Sequence, residues 1–79
     1  MFTVRVQRSD MSHTLTCAQY TVERKPEGRQ VLTLYPDYGP LMGQTPVVTT
    51  ALDESTVVYV MNKDGNTVDT LRYQPPRGR

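Results

Sequence analysis

Phe2, Val4 and Val6 alternate with Thr3, Arg5 and Gln7. A period of two predicts a half-buried strand, because successive side chains of an extended chain point to opposite sides. Arg8–Ser12 is polar and turn-prone. A longer extended stretch follows, in which His13, Leu15 and Cys17 share one phase and Tyr20 and Val22 the other. A bulge near Ala18–Gln19 would account for the slip, since one extra residue bends a strand and reverses its facing.

Residues 23–29 carry a hairpin signal. Pro26 presets φ at the first turn position, and Gly28 can adopt the left-handed conformation that closes a type I turn with a bulge. The chain returns over Gln30–Tyr35, where Leu32 and Leu34 face one way and Val31 and Tyr35 the other. A strand that needs cover on both faces belongs in the middle of a sheet. Val47–Leu52 is extended by composition and Asp53–Ser55 turns the chain, although Thr50 could instead cap a single helical turn over residues 51–54.

Thr56–Met61 is β-branched or aromatic at nearly every position and predicts the strongest strand. Asn62–Asn66 is the second hairpin signal, with Thr67–Tyr73 returning. Two registers compete there: a two-residue loop sets Val58 opposite Leu71 and Met61 opposite Val68, and a three-residue loop sets Val57 opposite Leu71 and Val60 opposite Val68. The pattern predicts an all-β fold, a small six-stranded antiparallel barrel or sandwich with two tight hairpins and one long Pro/Gly-rich loop. Residues 1–73 form the single domain and 74–79 a flexible tail.

Length changes this picture by asking what holds so small a core together. At 79 residues, buried apolar area and ordering entropy roughly cancel. Cys17 is the only cysteine and His13 the only histidine, which removes an internal disulfide and a structural zinc site. Packing and self-association remain, so a homodimer is an expectation. The free thiol points to the cytoplasm. The opening residues lack the basic-then-apolar order of a signal peptide, and the longest apolar run, Val57–Met61, is far too short for a spanning helix. No membrane association is expected.

Candidate chemistry is sparse. On a strand His13 and Cys17 stand ~13 Å apart and cannot share an ion or a proton. Asp37, Asp53, Glu54 and Asp64 sit where turns favour acidic side chains, and a chain of this size offers little room for a pocket of ~300 Å³. No phosphate loop, nucleophile elbow or HExxH occurs. No enzyme, cofactor or metal is predicted. Nine basic against eight acidic residues give a net charge of +1, which does not by itself favour nucleic acid. The basic residues fall at Arg5 and Arg8, at Arg24, Lys25 and Arg29, and at Arg72, Arg77 and Arg79, and the favoured reading is that they keep exposed strands soluble and guard edges from pairing.

The informative segment is Tyr35–Pro46. Its three prolines and two glycines forbid a ladder, yet it holds Tyr35, Tyr38, Leu41 and Met42. Leu41 and Met42 either plug an open end of the fold, or the stiffened loop presents Tyr38, Leu41 and Met42 to another protein. The expected function is a non-enzymatic binding module acting on another protein through this loop and an exposed strand edge. An accessory, inhibitory or assembly factor, virus-encoded in one version, fits that description. The alternative is a nucleic-acid-binding small barrel that uses Arg24, Lys25 and Arg29 with Tyr20, Tyr59 or Tyr73.

Overall fold

The structure, a computed structural model, describes residues 1–74. It is all-β, with seven strands: β1 Phe2–Gln7, β2 Ser12–Cys17, β3 Gln19–Arg24, β4 Gln30–Tyr35, β5 Val48–Leu52, β6 Val57–Met61 and β7 Thr67–Arg72. They form two separate antiparallel sheets, β2-β1-β6-β7 and β3-β4-β5. Of the expected six-stranded antiparallel barrel or sandwich, the all-β antiparallel character holds, while the strand count is corrected to seven and the two sheets do not close into a barrel. No strand of one sheet pairs with a strand of the other.

The seventh strand comes from the stretch 13–22. The phase change at Ala18–Gln19 is not a bulge within one strand. It is the point where the chain leaves one sheet for the other. Cys17 faces inward from β2 and Tyr20 faces inward from β3, so the chain must break its alternation while it turns the corner. Ala18 fits there because its side chain is small. It is 3% exposed, and its N–H donates to the Tyr35 carbonyl at 2.8 Å.

Register places the inward residues of each sheet side by side. Val4 lies between Leu15 and Val60, and Val6 between His13 and Val58. In the second sheet Leu32 lies between Val22 and Thr50, and Leu34 between Tyr20 and Val48. The core draws on both: Val4, Val6, Cys17, Val58 and Val60 meet Leu32, Leu34 and Leu52. β4 is the central strand of its sheet, as its two-sided hydrophobicity requires.

The two hairpins share one turn. Gly28 N–H donates to the Lys25 carbonyl and Gly65 N–H to the Asn62 carbonyl, at 2.9 and 3.0 Å. Both glycines have positive φ, 85° and 86°, which an L side chain would resist. In the second hairpin Asn62 Oδ1 also accepts from the N–H groups of Asp64 and Asn66. The three-residue loop pairs Met61 with Thr67, but Val60 pairs with Asp69 and Val58 with Leu71. Val68 is the extra residue, and each competing register holds on one side of it. This bulge turns Leu71 toward the core and leaves Val68 at the surface.

Residues 53–56 form a turn, with Thr56 N–H donating to the Asp53 carbonyl, and Thr50, Ala51 and Leu52 belong to β5. The expected tail over 74–79 falls mostly on residues 75–79, outside the described residues. Gln74 itself is clamped, because the Gln30 side chain donates to its carbonyl at 2.8 Å and accepts from its N–H at 3.2 Å. No helix among the described residues is long and apolar enough to cross a membrane.

Candidate functional site: the 35–46 loop

The loop between β4 and β5 is held by two glutamines. Gln44 reaches across its own loop, donating to the carbonyls of Asp37 and Pro40 at 3.1 and 3.0 Å and accepting from Asp37 N–H at 3.2 Å. From β3, Gln19 donates to the carbonyls of Asp37 and Gly39 at 2.8 and 2.6 Å. Val47 N–H closes the loop onto the Leu34 carbonyl. Since prolines cannot form a ladder, side-chain amides supply the hydrogen bonds that a strand neighbour would otherwise give.

The braced loop leaves its large side chains outside the core. Met42 is 94% exposed and Tyr38 68%, whereas Leu41 and Tyr35 are half-buried. None of the four belongs to the hydrophobic cluster, so Leu41 and Met42 do not plug the fold. The Tyr38 hydroxyl accepts from the Met1 amino group at 2.6 Å, which ties the loop to the start of β1. Tyr35 lies on the outer side of β4, opposite Gln19.

The loop adjoins the corner at Ala18, and therefore the end of β2. That strand is an edge, paired only with β1. Its sequence, Ser12–Cys17, contains no proline, lysine, arginine or carboxylate and pairs with β1 without a bulge, so it lacks the usual devices that discourage edge pairing.

Of the residues of the alternative reading, Tyr20 is turned away from the basic hairpin, and Tyr59 lies on the outer face of the other sheet. Tyr20 faces the space between the sheets, its ring edge-on to Phe2 at 5.5 Å, and its hydroxyl donates to Asp69 at 3.0 Å. Burial, and then this hydrogen bond with the Asp69 charge, raise its pKa above the ordinary phenol value. Lys25 pairs with Glu23 at 3.9 Å and Arg29 with Glu27 at 3.6 Å. Arg24 is exposed at the end of β3 without such a partner among the described residues.

His13 and Cys17 lie on one strand, His13 exposed and Cys17 in the core. Burial pushes the thiol pKa up, with a smaller opposing pull from the N-terminal charge. Such a thiol is a poor nucleophile at neutral pH. Among the described residues no three His, Cys, Asp or Glu side chains are grouped to hold a metal ion.

An open trough of about 650 Å³ runs between the first hairpin and the 53–55 turn, walled by Glu27, Arg29, Asp53, Glu54 and Tyr73. One of its carboxylates is already committed. Asp53 accepts from Ser55 and Thr56, and these bonds, with the nearby Arg8 charge, hold its pKa below the usual aspartate value.

Nothing in the sequence distinguishes Arg8 from the other basic residues. Its guanidinium donates to Thr56 Oγ1 at 2.8 Å and Thr50 Oγ1 at 2.7 Å and lies 3.7 Å from Asp53. It is a strap from the β1–β2 turn to the second sheet. The glutamine braces were also missed. The only signal for Gln44 in the sequence is an amide inside a Pro/Gly segment.

In comparison with known proteins, no family model matches the chain, and neither a curated protein nor a solved structure shows significant similarity to it.

Proposed function

We propose that this chain is a non-enzymatic binding module that acts on another protein, through the 35–46 loop together with the free edge of β2. One observation carries the reading: the loop is hydrogen-bonded into a fixed shape by Gln44 and Gln19, yet Met42 and Tyr38 point into solvent and contribute nothing to the core. A pre-shaped loop loses little entropy on binding, and Met and Tyr are enriched at the centres of interfaces. The adjacent β2 edge offers unpaired backbone groups that an extended partner segment can extend into a fifth strand. A module of this kind serves as an accessory, inhibitory or assembly factor, and its single buried thiol suits the cytoplasm. A second copy of the chain can use the same edge, which light scattering at two concentrations reads directly.

The test compares the chain with its Tyr38→Ala/Met42→Ala double variant in affinity capture from host lysate, alongside thermal melts. The expected result is a discrete partner retained by the chain and lost by the variant, with melting temperatures within a few degrees. A variant that melts far lower assigns these side chains to stability. Equal capture by both proteins overturns the role of the loop.

A further inference from the structure

The outward positions of the β2-β1-β6-β7 sheet carry two arginines and no carboxylate. Register sets Arg5 beside Tyr59, and Tyr59 beside Thr70. One row further along, Val57 lies beside Arg72. Arg5 and Arg72 thus stand diagonally on either side of Tyr59, two strands and two residues apart, or about 12 Å between their Cα atoms from ordinary sheet spacing. Every other outward position of these four strands is threonine, serine, glutamine, valine or methionine. No carboxylate lies on the face.

These arginines are also uncommitted. Arg8, Lys25 and Arg29 have carboxylates within 4 Å. Arg5, Arg72 and Arg24 have none among the described residues. Two carboxylate-free hollows extend the basic surface. One, of about 300 Å³, lies beside Arg5 and is lined also by Gln7 and Ser12. The other, of about 280 Å³, is shared by Arg72 and Arg24 at the gap between β7 and β3. A basic track therefore runs from Arg5 across Tyr59 to Arg72 and over the sheet edge to Arg24.

We infer that this face binds single-stranded nucleic acid, independently of the loop surface. Tyr59, with Val57 and Met61 on the same face of β6, forms an apolar strip down the middle of the sheet, and the half-buried ring is held by strands on both sides. Bases stack on such a strip while guanidinium groups to either side track phosphates. An acidic peptide is the competing occupant of a basic face. It fits less well, because a peptide lying across the face meets backbone groups of β1 and β6 already used in the ladder, and of the strands that carry Arg5, Tyr59 and Arg72 only β7 has an edge with groups free to pair. A carboxylate also gains nothing from an aromatic platform. Recognition by backbone charge and stacking carries no sequence preference.

The test is fluorescence anisotropy of a labelled oligothymidylate of about 20 nucleotides titrated with the full chain at about 50 mM salt, where phosphate contacts are strong. The expected result is saturable binding whose log affinity falls linearly with log salt. Arg5→Gln and Arg72→Gln should each reduce that slope by about 0.7, one phosphate contact on a single strand. Tyr59→Ala should weaken binding roughly 5- to 150-fold and Tyr59→Phe should retain it. If Tyr59→Ala unfolds, Tyr59→Leu keeps the apolar area without the ring and should show the same loss. A control with Lys25→Gln and Arg29→Gln should bind like the parent chain. No binding at low salt overturns the inference, as does binding that the Arg5 and Arg72 changes leave intact. Stronger displacement by polyglutamate than by unlabelled oligothymidylate does so too, and assigns the face to an acidic protein.

Discussion

The two sheets are alike on the inside and different on the outside. Their inner faces are interchangeable in chemistry: valines from β1 and β6 meet leucines from β4 and β5. Outside, the four-stranded sheet carries Arg5, Tyr59 and Arg72 on a background free of carboxylates. The outward positions of the three-stranded sheet are mostly short or uncharged, among them Thr21, Thr33, Thr49 and Ala51, with Glu23 the only charge. Alternation along a strand lets one sequence serve both purposes. What lies at even positions of β1 and β6 stabilises, and what lies between them is free to recognise. The comparison teaches that inner and outer positions can be changed independently here, residue by residue, and each prediction below probes that separation.

The largest effect should come from the shared interior. Leu34 is fully buried between Tyr20 and Val48, and Leu34→Ala should cost about 2–5 kcal/mol through lost burial and the cavity left behind. Urea unfolding monitored by circular dichroism checks it. A cost below 1 kcal/mol would mean that the two sheets do not share one core. The next effect should come from the cross-sheet strap. Arg8→Ala removes donors from Thr50 and from buried Thr56 and should cost about 1–3 kcal/mol. Arg8→Lys should restore little of this, because an ammonium cannot address two hydroxyls with the fixed fork of a guanidinium.

Much of this interior was legible in the sequence. Phe2–Gln7 and Val57–Met61 alternate cleanly, and the two-sided hydrophobicity of Gln30–Tyr35 placed it centrally, because periodicity records which side of a strand is covered. The change of sheet at Ala18 was not legible. A bulge and a corner produce the same phase slip, and only the partner strands distinguish them. Nor was the register at residues 62–66, since Val68 as an extra residue reconciles two pairings that each bury apolar side chains. In the loop, the apolar content of Tyr35–Pro46 marked the segment, but its exposure depended on Gln44 and Gln19. A side-chain amide bonding to backbone carbonyls leaves no period to read. The same holds for Arg8, whose partners lie more than forty residues away in the chain.

A smaller effect separates the strap from the outer faces by pH. The Asp53 pKa is lowered in the folded state, chiefly by hydrogen bonds from Ser55 and Thr56. A carboxyl with a depressed folded pKa adds stability that is fully present above its unfolded value of about 4 and is lost as pH falls through the lower folded value. Acid titration of the melting temperature should therefore show a decline below about pH 4 that Asp53→Asn flattens. An unchanged profile in Asp53→Asn would assign acid sensitivity to other carboxylates.

The smallest effect is the one that most sharpens the contrast between faces. Arg5→Gln and Arg72→Gln, separately or together, should change stability by less than about 0.5 kcal/mol each, because neither guanidinium has a carboxylate partner among the described residues and surface positions without such ties are near neutral. The double variant lowers the net charge from +1 to −1, so its melt is best compared at moderate salt, where long-range repulsion is screened. Arginine stems can also cover apolar strand surface, and Val57, Tyr59 and Met61 are only half-buried beside them. A loss above 1 kcal/mol would show that Arg5 and Arg72 stay on this face to shield β6. Near-neutrality leaves two unpaired charges astride an aromatic ring with no part in holding the fold together, free either to keep the exposed strands soluble and unpaired or to meet a ligand, and the salt dependence of oligonucleotide binding separates the two.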